Sequence, residues 1–131
     1  MIKFITLSLL AYGQKSNVSA VQRAAEAFLK EEADGFDASW FQERPAAEVH
    51  QEILDQVWDP DCTLKKPTAS QQGIAITLPE VNERMAREWL EELKIAKTCV
   101  VFVHWHNPNG PSDHQYLILG GEHWFDSRSA D

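Results

Sequence analysis

The sequence predicts one α+β domain over residues 1–131, in which N-terminal helices pack on a C-terminal antiparallel sheet. Apolar residues recur with helical spacing through the first two thirds of the chain, whereas the last third contains β-branched and aromatic runs separated by turn residues. The length of 131 residues fits a single domain, and the 44% of hydrophobic residues are enough for a core.

Two helices are predicted in the first half of the chain. The first begins at Ser16 or Asn17, either of which can cap it, and ends near Gly35. The second begins at Pro45, a favourable residue for a first turn, and ends at about Trp58. The predicted buried positions are Val18, Val21, Ala25, Phe28 and Leu29 in the first helix, and Val49, Ile53, Val57 and Trp58 in the second.

A third helix is predicted to begin at Thr77-Leu78-Pro79-Glu80. This segment has the form of a capping box, in which Glu80 reaches back to the cap and Pro79 occupies the first turn. The predicted buried positions of this helix are Val81, Met85, Trp89, Leu90 and Leu93.

Strands are predicted mainly in the last third of the chain. The predicted strands are residues 73–77, 99–106, 114–119 and 122–126, with loops at 59–72 and 107–113 and a turn at Gly120-Gly121. The apolar segment 1–11 is predicted to be a buried strand or a short helix rather than a signal peptide. Its apolar run is short, and no small-x-small cleavage pattern follows it.

Composition and charge exclude several classes of function. The net charge of −8, from 20 acidic and 12 basic residues, argues against nucleic acid or an anionic membrane as a partner. It permits a basic protein or peptide partner, or it serves simple solubility, which is the commoner reason for such a charge. The two cysteines, Cys62 and Cys99, form no zinc motif, and Cys99 is predicted to be a buried thiol. We therefore expect a reducing, cytoplasmic location and no cofactor.

Histidines are concentrated near the C-terminus, and one of them can be paired with a carboxylate. His114 opens a predicted strand and Asp126 closes the next. A two-residue turn would place His114 opposite Ser127, whereas a three-residue loop with a bulge glycine would place it opposite Asp126. Only the second register would let Asp126 orient the imidazole as the carboxylate of a catalytic triad does.

This arrangement of His114, a glycine turn and an aromatic return strand ending in Asp126 resembles the back half of papain-like thiol hydrolases. The wider group includes peptidoglycan amidases and endopeptidases, bacteriocin-processing peptidases, transglutaminases and Josephin-type deubiquitinases. In that group the nucleophile is a cysteine at the start of an early helix, often with a glutamine just before it.

The resemblance implies a papain-like fold and acyl transfer at an amide bond. His114 would be the base, Asp126 its orienting partner, and Gln14 the glutamine near the nucleophile. The nucleophile position has no cysteine: Ser16 is the best match, with Val18 and Ser19 as rivals. The resemblance therefore implies a domain that is inactive or has a substituted nucleophile. The alternative for Ser16 is an ordinary helix cap.

A second constellation combines His104, His106 and His114. His104 and His106 are two residues apart and so share one face of a strand. If His106 pairs with His114 in the neighbouring strand, the three imidazoles converge near Asp113, as a zinc or iron site requires. The alternative is a sheet face whose histidines bond to solvent or to carboxylates.

The third hypothesis is an acidic protein-binding module, such as an inhibitor, an immunity protein or an adaptor. Residues 34–43 mix aromatic side chains with carboxylates, a composition that protein interfaces use. The alternative for Trp40 and Phe41 is that they fill the core between helices.

Overall fold

The computed structural model describes residues 4–32, 38–57, 64–93, 99–106, 113–119 and 122–128. The elements in chain order are β1 (Phe4–Gly13), α1 (Lys15–Glu32), a short 3-10 turn (Ala38–Trp40), β2 (Phe41–Pro45), α2 (Ala46–Gln56), β3 (Gln72–Asn82), α3 (Glu83–Leu93), β4 (Val100–His106), β5 (His114–Leu119) and β6 (Glu122–Arg128). The predicted α+β class is confirmed.

The six strands of the described residues form one antiparallel sheet in the order β2-β3-β1-β4-β5-β6. The predicted separation of helices first and sheet last is therefore wrong, because β1 is a central strand and β2 was not predicted at all. The N-terminal run could not be separated into strand or helix from its sequence, since residues 9–13 of β1 are buried on both faces and lose the apolar–polar alternation that identifies strands.

The strand register divides the sheet into two faces. Side chains alternate along a strand, so Leu7, Leu9 and Ala11 of β1 point to one face and Ser8 and Leu10 to the other. We call the first the α1 face, because its buried residues cluster with those of α1 and α3. The second is the α2 face, because its apolar residues cluster with α2.

On the α1 face, α1 contributes the buried stripe predicted from its spacing. Val18, Val21, Ala25 and Phe28 are all buried, and the Phe28 ring stacks on Trp89 of α3 with 5.3 Å between centroids. The predicted position Leu29 lies outside the described side chains. The helix begins slightly earlier than predicted: the carbonyl of Gln14, rather than the side chain of Ser16 or Asn17, accepts the first hydrogen bonds, from the amides of residues 17 and 18, both at 3.0 Å.

On the α2 face, Val49 and Ile53 of α2 are fully buried against Leu10, Phe102 and Leu117. The bounds of α2 are close to the predicted ones. Val57 follows the helix and is half-buried, and Trp58 lies outside the described residues.

The predicted start of the third helix is wrong. β3 continues through the predicted capping box, because Leu78 and Val81 pair with Leu7 and Ile5 of β1, with an irregularity between those pairs. Strand pairing therefore overrides the local helix signal. The helix starts at Glu83 instead, and Asn82 caps it: its Oδ1 accepts hydrogen bonds from the amides of residues 84 and 85, at 2.9 and 3.3 Å.

The close packing of α2 on β3 depends on Gly73. A Cβ atom at this position would lie 2.6 Å from Val49 Cγ2 and 2.8 Å from the carbonyl oxygen of Arg44.

We predict that Gly73→Ala lowers the free energy of unfolding by about 1–3 kcal/mol, as overpacking does. In urea unfolding, the cost of Gly73→Ala should be smaller in a Val49→Ala background, since that change removes the nearest atom. Equal costs in both backgrounds would contradict this packing.

Cys99 is 1% exposed, and burial raises the pKa of its thiol from 9.0 to about 11. The folded protein therefore contains about a hundredfold less thiolate near neutral pH than a free cysteine would.

In a Cys62→Ser variant, we predict that Ellman's reagent modifies Cys99 at least about a hundredfold more slowly in the native protein than in concentrated urea. Similar rates in the two conditions would place Cys99 at the surface.

Candidate functional site

The structure does not bring Ser16 and His114 together. Ser16 is exposed in the first turn of α1, just after β1 ends at Gly13. His114 pairs with Trp105, which pairs with Leu7 near the start of β1. The six residue-to-residue steps from Leu7 to Gly13 span about 20 Å of extended strand. Ser16 and His114 therefore lie toward opposite ends of the sheet.

The hairpin between β5 and β6 has neither of the two registers considered from the sequence. Leu119 pairs with Glu122, as a two-residue turn requires, but an irregularity between the pairs of Ile118 and Leu117 shifts all pairs farther from the turn by one residue. As a result, Tyr116 is opposite Asp126, and His114 is opposite Arg128. Asp126 is thus a diagonal rather than a direct neighbour of His114. The side chain of Asp126 lies outside the described residues.

The surroundings of His114 are aromatic. Its ring stacks on Tyr116, with 5.9 Å between centroids, and meets Trp105 edge-on at 6.5 Å. Gln14 and Ser16, by contrast, line an open depression of about 530 Å³ at the start of α1, together with Lys15, Ser19 and Arg23. The residues predicted for one catalytic site therefore occupy two separate places.

The predicted convergence of three histidines is wrong, because His114 pairs with Trp105 rather than with His106. A register difference of one residue moves a side chain to the other face of the sheet. His114 accordingly lies on the α1 face, while His104 and His106 lie on the α2 face.

Asp113 joins His104 and His106 at this end of the sheet. The Nδ1 atom of His106 lies 3.0 Å from Asp113 Oδ1, and the Nε2 atom of His104 lies 3.4 Å from Asp113 Oδ2. Among the described residues, no group of three or more His, Cys, Asp or Glu side chains is arranged to hold a metal ion. The cluster therefore corresponds to the predicted alternative, in which the histidines bond to a carboxylate.

The α2 face carries a continuous row of polar residues beside this cluster. The strand register pairs Ser8 of β1 with Thr77 of β3 on one side and with His104 of β4 on the other. His104 in turn pairs with Gln115 of β5. We call these four residues the polar row. Ser8 and Thr77 are exposed, whereas the next row toward α2, which includes Leu10, is apolar. The part of the face that α2 covers therefore ends between the row of Leu10 and the polar row.

Gln115 marks the boundary with α2. Its side chain is buried, and Nε2 donates a hydrogen bond to the carbonyl oxygen of Gln56, the last residue of α2, at 2.9 Å. This bond satisfies a helix-end carbonyl that would otherwise lack an intrahelical partner.

A cavity of about 220 Å³ lies between α2 and the polar row. Its floor is apolar and includes Leu10, Ala75 and Phe102. Its polar lining is Ser8, Gln42, Arg44, Glu52, Gln56 and Thr77. The combination of an apolar floor and a polar rim is typical of binding sites.

Arg44 is held at the edge of this cavity by two carboxylates. Both Nη2 and Nε of Arg44 donate hydrogen bonds to Glu48 Oε1, and the bond from Nε is 3.2 Å long. The Nη1 atom donates a hydrogen bond to Glu52 Oε2 at 2.5 Å. These hydrogen bonds, first to Glu48 and then to Glu52, raise the pKa of Arg44 above its ordinary value. One guanidinium with two carboxylates leaves this cluster with one net negative charge.

Trp40 and Phe41, considered from the sequence as interface residues, are half-buried and pack against the hydrophobic cluster of the α1 face. This packing favours the alternative of a core-filling role for them. Residues 34–37 of the same segment lie outside the described residues.

Sequence reasoning missed the polar row. A usable signal was Ser8, a polar residue inside an apolar N-terminal run, together with the alternation of His104 and His106 with Val103 and Trp105. Ser8 and the two histidines become neighbours only through the pairing of β1 with β4, and no local motif in the sequence predicts that pairing.

Comparison of the chain with protein-family models, with curated proteins and with solved structures finds no match. Within the described residues, no helix is both long and apolar enough to cross a membrane.

The bond between Gln115 and Gln56 generates a stability prediction. We expect Gln115→Ala to lower the free energy of unfolding by about 1–3 kcal/mol, because a buried hydrogen bond is lost. Hydrogen exchange should accelerate in the last turn of α2. Gln42→Ala, which truncates an exposed glutamine on the same face, is the control and should change stability by less than about 0.5 kcal/mol. Equal effects of the two substitutions would show that Gln115 does not anchor α2.

Proposed function

We propose that this protein is an acidic protein-binding module, and that it docks a basic partner protein on the uncovered part of the α2 face. This docking surface consists of the polar row, the cluster of His104, His106 and Asp113, and the rim of the adjacent cavity. The observation that carries the proposal is the change from an apolar row that packs against α2 to a polar row in which Ser8 and Thr77 are exposed, His104 is half-buried and Gln115 is buried.

Charge complementarity selects the partner. The whole chain carries a net charge of −8. The described acidic residues of this surface are Asp113, which contacts His104 and His106, and Glu52, which together with the neighbouring Glu48 holds Arg44. Complementary charge accelerates the encounter of two proteins and disfavours partners of the same sign. A basic partner is therefore favoured over an acidic one.

A papain-like hydrolase function is the weaker candidate. It requires the nucleophile position and the histidine base to meet, and about 20 Å of strand separates the parts of the sheet that carry Ser16 and His114. Binding requires no such assembly of catalytic groups. The binding function is therefore the one that the described geometry supports better.

The test compares two variants with the same added charge. Ser8→Arg with Thr77→Arg places two cations on the docking surface, and Ala20→Arg with Ala27→Arg places two on exposed positions of α1. We expect quantitative affinity purification from source-cell lysate to capture basic proteins with the wild type and the α1 variant. The docking-surface variant should capture at least about tenfold less of the same proteins, because like charges repel across an interface.

Both variants should first give native circular dichroism spectra, so that loss of binding is not loss of folding. Equal capture by the two double variants contradicts the proposed surface. Capture of nothing above a bead-only control contradicts the binding function itself.

A further inference from the structure

The cavity beside the polar row indicates how the partner is recognised, an inference that rests on the proposed function. We propose that this cavity receives one cationic side chain, an arginine or a lysine, from the partner protein. The inference depends on three features of the cavity: its electrostatic surroundings, its apolar floor and one carboxylate oxygen of Glu52.

The electrostatic surroundings of the cavity favour a cation. Gln56, at the C-terminal end of α2, lines the cavity, and the last turn of α2 contains Asp55 but no basic residue. The C-terminal end of a helix carries partial negative charge on its carbonyl groups. No basic residue of that last turn offsets this charge. Arg44 and Glu52 line the cavity, and Glu48 bonds to Arg44 from outside the lining, so the cluster of three carries one net negative charge beside the cavity.

Glu52 supplies a direct acceptor. Its Oε2 accepts the hydrogen bond from Arg44, while Oε1 accepts none from the described part of the chain. The Glu52 side chain is 34% exposed, so a ligand can reach it. A second guanidinium or an ammonium can therefore bond to Oε1 without displacing Arg44, whose other contacts are to Glu48.

The floor of the cavity suits the stem of a long cationic side chain. Leu10, Ala75 and Phe102 line it, and lysine and arginine pack their methylene groups on such apolar surface while their charged ends remain solvated. The hydroxyl groups of Ser8 and Thr77 and the amides of Gln42 and Gln56 provide further acceptors around the rim. A short cation without a stem would not use this floor.

The experiment uses N-acetyl-arginine amide as the probe, titrated into the full-length protein and followed by two-dimensional NMR. We expect saturable shifts of residues 8, 42, 56 and 77, with a Kd on the order of 1–10 mM, as is usual for a fragment of this size. N-acetyl-citrulline amide, which has nearly the same shape without the charge, should produce no saturable shifts at these residues.

Two matched variants test the role of Glu52. Glu52→Gln should weaken binding of the arginine probe by about fivefold, the effect of losing one partly exposed ion pair. Glu88→Gln removes the same charge from an exposed position of α3 and should leave the affinity unchanged. Equal binding of the arginine and citrulline probes, or equal binding to both variants, overturns the cation site.

The failure of this inference is distinguishable from failure of the proposed function. If the arginine probe does not bind, but the Ser8→Arg and Thr77→Arg variant still loses partner capture, the docking surface stands and the cation site is wrong. If partner capture is also unaffected by that variant, both proposals are wrong.

Discussion

The pairing of β1 with β4 fixes which side chains share a face of the sheet, and the rest of the structure depends on it. Leu7 opposite Trp105 and Leu9 opposite Val103 place a continuous apolar surface under α1 and α3. The same register necessarily puts Ser8 beside His104 on the other face. A slip of one residue would bury the polar side chains and expose the apolar ones, so burial of the α1 face enforces the register.

The polar row explains why α2 covers only part of its face. Burying hydroxyl and imidazole groups without hydrogen-bond partners is unfavourable, so a helix gains nothing by extending over Ser8 and His104. At the boundary, Gln115 is buried, but its amide donates to the carbonyl of Gln56 and meets this requirement. The end of α2 therefore coincides with the change from apolar to polar side chains, and the uncovered remainder forms the docking surface.

Local sequence patterns predicted part of this fold. The buried stripe of α1 and the bounds of α2 followed from helical spacing, because a helix is determined by residues close together in the chain. The capping box at Thr77 misled, since pairing with β1 holds that segment in β3. The histidine clusters also depended on pairings between distant segments. A register change of one residue separated His114 from His106, and an irregularity in β6, at residue 124, changed the partner of Asp126.

The most direct test of this account measures solvent access to the α2 face in the free protein, by paramagnetic relaxation from a soluble gadolinium chelate. The methyl groups of Thr77 and Leu10 belong to adjacent rows of that face. The account predicts strong relaxation enhancement for the Thr77 methyl and weak enhancement for those of Leu10, which α2 covers. Equal protection of both residues would show that the polar row is covered, and would contradict its role as a docking surface.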